Sequence, residues 1–159
     1  DRSALNSLGQ VYSDGTVKVD EPRASRYFME AAERGDVAAM YAIAGRLAVG
    51  TGIDKDEVAA FKWYEKAAAS GHVKATIRLA ICYSSGKGVA RDAKKAFKFF
   101  KQAAVDDDME AIANLAVCYA SGLGTPVNEE ESTRLYLEVL NSGNQTAIAI
   151  VEVLKKEEE

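Results

Sequence analysis

The residue types able to do chemistry are few and widely spaced. His72 is the only histidine, so neither a His pair nor a histidine-based metal cluster can be assembled. It follows Gly71 and reads as an exposed loop residue. Ser84-Ser-Gly-Lys87 has the S-x-x-K spacing used for acyl transfer to serine. No S-D-N or K-T-G accompanies it, and the lysine falls inside a glycine turn. Cys82 and Cys118 are the only cysteines, and an even count permits a disulfide. The pairs Gly50-Thr-Gly52, Gly86-Lys-Gly88 and Gly122-Leu-Gly124 have the look of phosphate-cradling loops. Such loops follow strands, whereas these recur at a fixed interval after helical segments and read as turns. No catalytic residue, no cofactor and no metal site is expected, and the chain is not expected to be an enzyme.

The fixed interval organises everything else. Ala39, Ala75, Ala111 and Ala147 are 36 residues apart, and Ala4 lies 35 before Ala39. Leu8, Ile43, Leu79, Leu115 and Val151 share that phase. A second set comprises Tyr27, Trp63, Phe99 and Leu135, with Ala31, Ala67, Ala103 and Val139 four residues on. Gly35, Gly71, Asp107 and Gly143 close each unit. The missing residue of the first unit lies in its turn, where Gly15-Thr-Val17 replaces Gly-x-Gly. Such self-similarity signals a repeat architecture.

Within each unit the apolar spacing is helical: Ala96, Phe99, Phe100 and Ala103 fit i, i+3, i+4, i+7. The first turn glycine ends one helix. Asp20, Asp56, Asp92 and Asn128 precede the next as N-caps, with Glu131 completing a capping box and Pro22 near the first helical position. Helices A are expected near 3–14, 37–49, 73–85 and 109–121, and helices B near 21–34, 56–70, 92–106 and 128–142. A capping helix at 144–158 ends in Lys155-Lys156-Glu157-Glu158-Glu159. The expected fold is all-α: a right-handed α-α superhelix, or solenoid, forming one domain over 1–159. Its repeats fall at about 3–37, 38–73, 74–109 and 110–145. Each pair buries its apolar face only by stacking on the next. A globular bundle with accidental periodicity is the alternative, and the columns in register argue against it.

Of 159 residues, 48% are hydrophobic, and the formal net charge is −4. That balance excludes affinity built on phosphate neutralisation, so no nucleic-acid partner is expected. The apolar runs are too short to span a bilayer, so no direct membrane insertion is expected. No signal-peptide pattern opens the chain. The absence of an initiating Met suggests an excised domain or a mature product, which leaves a lost targeting segment open.

The patterns A-x-x-x-L-A/G-x-x-Y-x-x-G-x-G-V and D-x-x-x-A-x-x-W/F-Y/F-x-K/Q-A-A-x-x-G resemble the Sel-one-like repeat, a longer relative of the tetratricopeptide repeat. Gly86-Lys-Gly-Val89, Asp92, Ala96, Phe99, Phe100, Gln102, Ala103 and Ala104 carry the resemblance best. It covers nearly the whole chain. The fourth unit departs, with Ser132, Leu135, Leu137, Val139 and Leu140 in place of small and aromatic residues. The resemblance implies adaptor work: members serve in ubiquitin-ligase complexes of the endoplasmic reticulum, in bacterial signalling and envelope assembly, and in host–pathogen contacts. Cysteine-rich relatives have been linked to β-lactam binding, but their paired cysteines are replaced here by Ala104 and Ala111.

The resemblance also implies that Cys82 and Cys118 face the core from successive A helices. Packed helices lie about 8–10 Å apart, beyond the reach of about 7 Å that a disulfide spans between Cα atoms. Buried free thiols are expected, which favours a reducing compartment such as the cytoplasm. The A helices would line a concave groove. Tyr41, Ile77, Ile81 and Val117 would be its apolar anchors, Lys74 and Arg78 its rim, and Ala113 and Asn114 their neighbours. The alternative is that curvature buries this stripe. On the convex side Arg91, Lys94, Lys95, Lys98 and Lys101 share a face of one B helix. They either dock an acidic partner or are neutralised by Glu129, Glu130, Glu131 and Glu138. The expected function is a non-enzymatic scaffold, monomeric or weakly self-associating, that holds another protein or peptide. A weak hydrolase or β-lactam binder and a self-assembling structural element are the rival classes.

Overall fold

The structure, a computed structural model, describes residues 1–105 and 107–156, with side chains as far as Val153. These residues form nine helices and no strand: α1 (Arg2–Ser13), α2 (Glu21–Glu33), α3 (Val37–Val49), α4 (Glu57–Ala69), α5 (Val73–Ser85), α6 (Ala93–Ala104), α7 (Met109–Ser121), α8 (Glu129–Ser142) and α9 (Gln145–Lys156). Every expected helix is present within about two residues. The expected end of the capping helix at 157–158 lies outside the described residues. The fold is an all-α helical repeat.

The helices begin where a side chain can accept an orphan backbone N–H. Asp20, Asp56, Asp92 and Asn128 accept from Arg23, Ala59, Lys95 and Glu131 at 2.9–3.0 Å. The A helices have their own cap column, 36 residues apart: Asp36 accepts from Ala39, His72 Nδ1 from Ala75, Asp108 from Ala111 and Asn144 from Ala147. They end on left-handed glycines such as Gly50 (φ 86°) and Gly122 (φ 73°).

The chain divides into two compact units, residues 1–75 with 87–89, and 76–86 with 90–159. In the first, α1 packs on α2, α2 on α3 and α3 on α4. Its core is Ala24, Phe28, Ala31, Ala39, Ile43, Ala60, Tyr64 and Ala67, all buried. Gly9 leaves room for the Phe28 ring, since a Cβ there would come within 2.8 Å. One charge is buried in this unit. Arg46 donates to the Glu21 carboxylate at 2.6 Å and to Ser25 Oγ at 3.1 Å, and lies 5.1 Å from the Phe28 ring centroid.

In the second unit α6 packs on α7, and α7 on α8 and α9. Ile112, Ala113, Leu115, Ala116, Leu135, Val139, Ala147 and Val151 form its core. The atypical fourth repeat keeps the helical pair. Leu135 and Val139 fill the aromatic and small-residue positions, and Ser132, in an alanine column, donates to the Ala116 carbonyl at 3.0 Å.

Candidate functional site

α3 and α7 are built from small and apolar residues around most of their circumference, and a helix apolar all round is buried. In α7, Glu110, Ala111, Ile112, Ala113, Leu115, Ala116 and Cys118 are all buried. In α3, α5 and α7 only a narrow strip is left to line a surface. That strip decides the fate of the expected groove residues.

Ile77 and Ala113 are 0% exposed. They are core residues, so Ile77 cannot serve as an anchor, nor Ala113 as its neighbour, on an open wall. Ile81 and Val117 are half-buried, as are Lys74 and Asn114. Arg78 reaches across to the largely buried Glu110 carboxylate at 3.3 Å, and Asn114 Nδ2 donates to the Glu110 carbonyl at 2.7 Å. Ile81 and Val117 belong to a 36-residue column that continues to Val153, which is 51% exposed.

In the first unit Tyr41 is half-buried. Its ring stacks on His72 at 4.6 Å between centroids and tilts against Tyr64 at 5.9 Å. His72 is therefore not the exposed loop residue expected from sequence: it caps α5 and packs on an aromatic ring. Burial lowers its pKa. The cap column Asp36–His72–Asp108–Asn144 was present in the sequence as the signal for this role.

The other reactive candidates are engaged structurally. Ser84 and Ser85 donate to the Ile81 carbonyl at 2.9 and 2.7 Å. Cys82 and Cys118 are both free and buried, and burial pushes the Cys118 thiol up to about 12, far from a reactive thiolate. Two clefts lie in the first unit. One of about 410 Å³ involves Arg26, Met29, Glu30 and Ile53, and one of about 270 Å³ involves Tyr12, Val17 and Arg23. Neither is lined by an expected site residue. No helix among the described residues is long and apolar enough to cross a membrane.

Arg91, just before α6, and Lys94, Lys95, Lys98 and Lys101 on it are all exposed. No ion pair joins these cations to α8 among the described residues. Arg134 holds Glu131 at 2.6 Å and Glu138 at 3.4 Å within α8 itself. Lys95 is 3.8 Å from Asp92 and 5.2 Å from the Tyr83 ring centroid. The other four cations form no ion pair among the described residues.

The family model of the Sel1 repeat matches residues 2–36, 37–72, 73–104 and 110–143. The chain belongs to the Sel1 repeat family, whose members generally mediate protein–protein interaction. No curated protein matches it. Among solved structures, it is similar to a Sel1 repeat protein from Oxalobacter formigenes, with 28% identity, TM-score 0.83, 95% of this chain and 63% of that one covered. It is also similar to c5321, a protective antigen of uropathogenic Escherichia coli strains with an SLR fold. There the identity is 30% and the TM-score 0.84, over 92% of this chain and 32% of that one. The chain thus spans less than two thirds of either protein. Helicobacter pylori cysteine rich protein B shares the fold at 23% identity and TM-score 0.61, over 86% of this chain and 98% of that one.

Proposed function

We propose that this protein is a non-catalytic scaffold that holds a protein or peptide segment on the open strip of its A helices. The observation that carries the reading is the column Ile81, Val117 and Val153. Three apolar residues recur at 36-residue spacing on α5, α7 and α9, and none is fully buried. Arg78 and Asn114 supply polar groups one helical turn away. Partly exposed apolar residues rimmed by polar ones suit an amphipathic helix or an extended peptide. The first unit offers Tyr41 and Lys74 as its own partly exposed candidates.

Affinity capture with mass spectrometry tests this, comparing wild type with Ile81→Glu and Val153→Glu. Lys62→Glu, an exposed charge reversal on α4, serves as control. Partners retained by wild type and the control but lost from both column variants, with circular dichroism unchanged, support the reading. An identical set of partners on all four proteins sinks it.

A further inference from the structure

Six of the chain's 20 basic residues fall within residues 87–101, together with a single acidic one, although the whole chain is net negative. On α6 they are ordered. Lys94, Lys98 and Lys101 follow i, i+4, i+7, each two residues before a buried one: Ala96, Phe100 and Ala103. Two residues turn a helix by about 200°, so the lysines stand opposite the core. Val105, 79% exposed, follows at i+11 and ends the same strip. Like charges at these spacings repel by a few tenths of a kcal/mol per pair. Glu131 and Glu138 of α8 are engaged by Arg134, and Lys94, Lys98 and Lys101 form no ion pair among the described residues.

We propose that this strip of α6 docks an acidic polypeptide segment, independently of the A-helix surface. Lys94 to Lys101 spans about 10 Å at 1.5 Å per residue, with side chains about 5–6 Å apart. Carboxylates on one face of a helix repeat at the same interval, so charge and spacing both match. A strip of this length meets too few phosphates to sustain nucleic-acid binding, which needs many neutralised at once. A bilayer surface is equally disfavoured. A membrane-lying helix buries its apolar face in lipid, and the apolar face of α6 is already occupied by the core. Val105 adds an apolar contact at the end of the strip, which suits a protein ligand.

The test is an anisotropy titration of the full chain with a fluorescein-labelled 15-residue peptide of Glu and Ala, carrying Glu at i, i+4 and i+7 spacing, in 50 mM salt. Lys94→Glu with Lys98→Glu should weaken binding at least tenfold. Arg26→Glu with Lys62→Glu changes net charge equally on other exposed positions and should weaken it less than twofold, with circular dichroism unchanged in both. A single-stranded 12-nucleotide DNA and vesicles containing phosphatidylserine are measured alongside. Failure to bind the peptide, equal losses in the two variants, or tighter binding of DNA or vesicles would each overturn the proposal. Loss of partner capture on Ile81→Glu would leave it untouched, so the two surfaces fail separately.

Discussion

Gly52, in the turn after α3, lies directly against the backbone carbonyl of Glu21, the first residue of α2. The same relationship recurs 31 residues apart between Gly88 and Glu57, and between Gly124 and Ala93. The second glycine of each Gly-x-Gly turn is thus where one repeat touches the helix B start of the repeat before it. Gly52 also has φ 66°, and a Cβ would overlap the Glu21 carbonyl. Gly52→Ala should cost about 3–5 kcal/mol, combining left-handed backbone strain with overpacking against rigid backbone. Gly71 has φ 86° but nothing near its Cβ position, so Gly71→Ala should cost only about 1–2 kcal/mol. Urea unfolding of the two variants measures the difference, and equal losses would refute contact as the reason for the second glycine.

Arg46 ties α3 to α2 through a nearly buried guanidinium, with Ser25 handing the bond on to the Thr51 carbonyl at 2.8 Å. Removing one member of such a network leaves polar groups without partners. Arg46→Met keeps much of the volume and should lower stability by about 2–3 kcal/mol. Arg46→Lys should recover only part of that, because an ammonium lacks the planar fork of donors. Thermal denaturation reads both. A Met variant as stable as wild type would mean that the pair contributes nothing net.

The His72 cap makes stability depend on pH. Nδ1 accepts the Ala75 N–H at 3.2 Å, and only the neutral ring can do so. Burial lowers the folded pKa below the ordinary 6.5, so the folded state binds fewer protons than the unfolded one. The contribution is complete above about pH 6.5, where both states are neutral, and is lost as pH falls through the lower folded value. A cap is worth about 1 kcal/mol. His72→Asn adopts the residue used at Asn144 and should flatten this part of the profile. Unfolding free energies at pH 5 and pH 7.5 in both proteins check it, and parallel profiles would refute the role.

The repeat was legible because small, aromatic and glycine columns all encode the same stacking contacts. Helix ends followed for the same reason: Asp20, Asp56, Asp92 and Asn128 announce themselves by position. The groove was harder to read. Placing Ile77 as an anchor and Ala113 beside it on the groove wall made the open strip of α5 and α7 one column too wide, since both are fully buried. Arg46 was missed because an arginine inside an apolar helix carries no sign of its side-chain partners, which come from 21–33 residues away. The Gly15-Thr-Val17 anomaly gains a meaning only with Gly52 in view. Val17 is 45% exposed, so the close approach that demands glycine elsewhere is absent there.

Asp107 stands in the glycine column of Gly35, Gly71 and Gly143, and it adopts their conformation. Its φ is 54°, the sole positive value outside glycine among the described residues. Its N–H donates to the Ala104 carbonyl at 3.2 Å, so the left-handed turn that closes α6 forms despite the Cβ. Aspartate enters this region more readily than most residues but still at a cost relative to glycine. Asp107→Gly removes that strain while enlarging the conformational freedom of the unfolded chain, which works in the opposite direction by about 0.4–1 kcal/mol. With backbone strain of about 1–2 kcal/mol relieved, the net expectation is a gain of about 0.5–1 kcal/mol. Asp107→Val, β-branched and without a polar group to bond locally, should lose at least as much. Chemical denaturation of the three proteins at one pH orders them as Gly above Asp above Val. A glycine variant no more stable than wild type would show that the aspartate side chain contributes enough locally to cancel the strain.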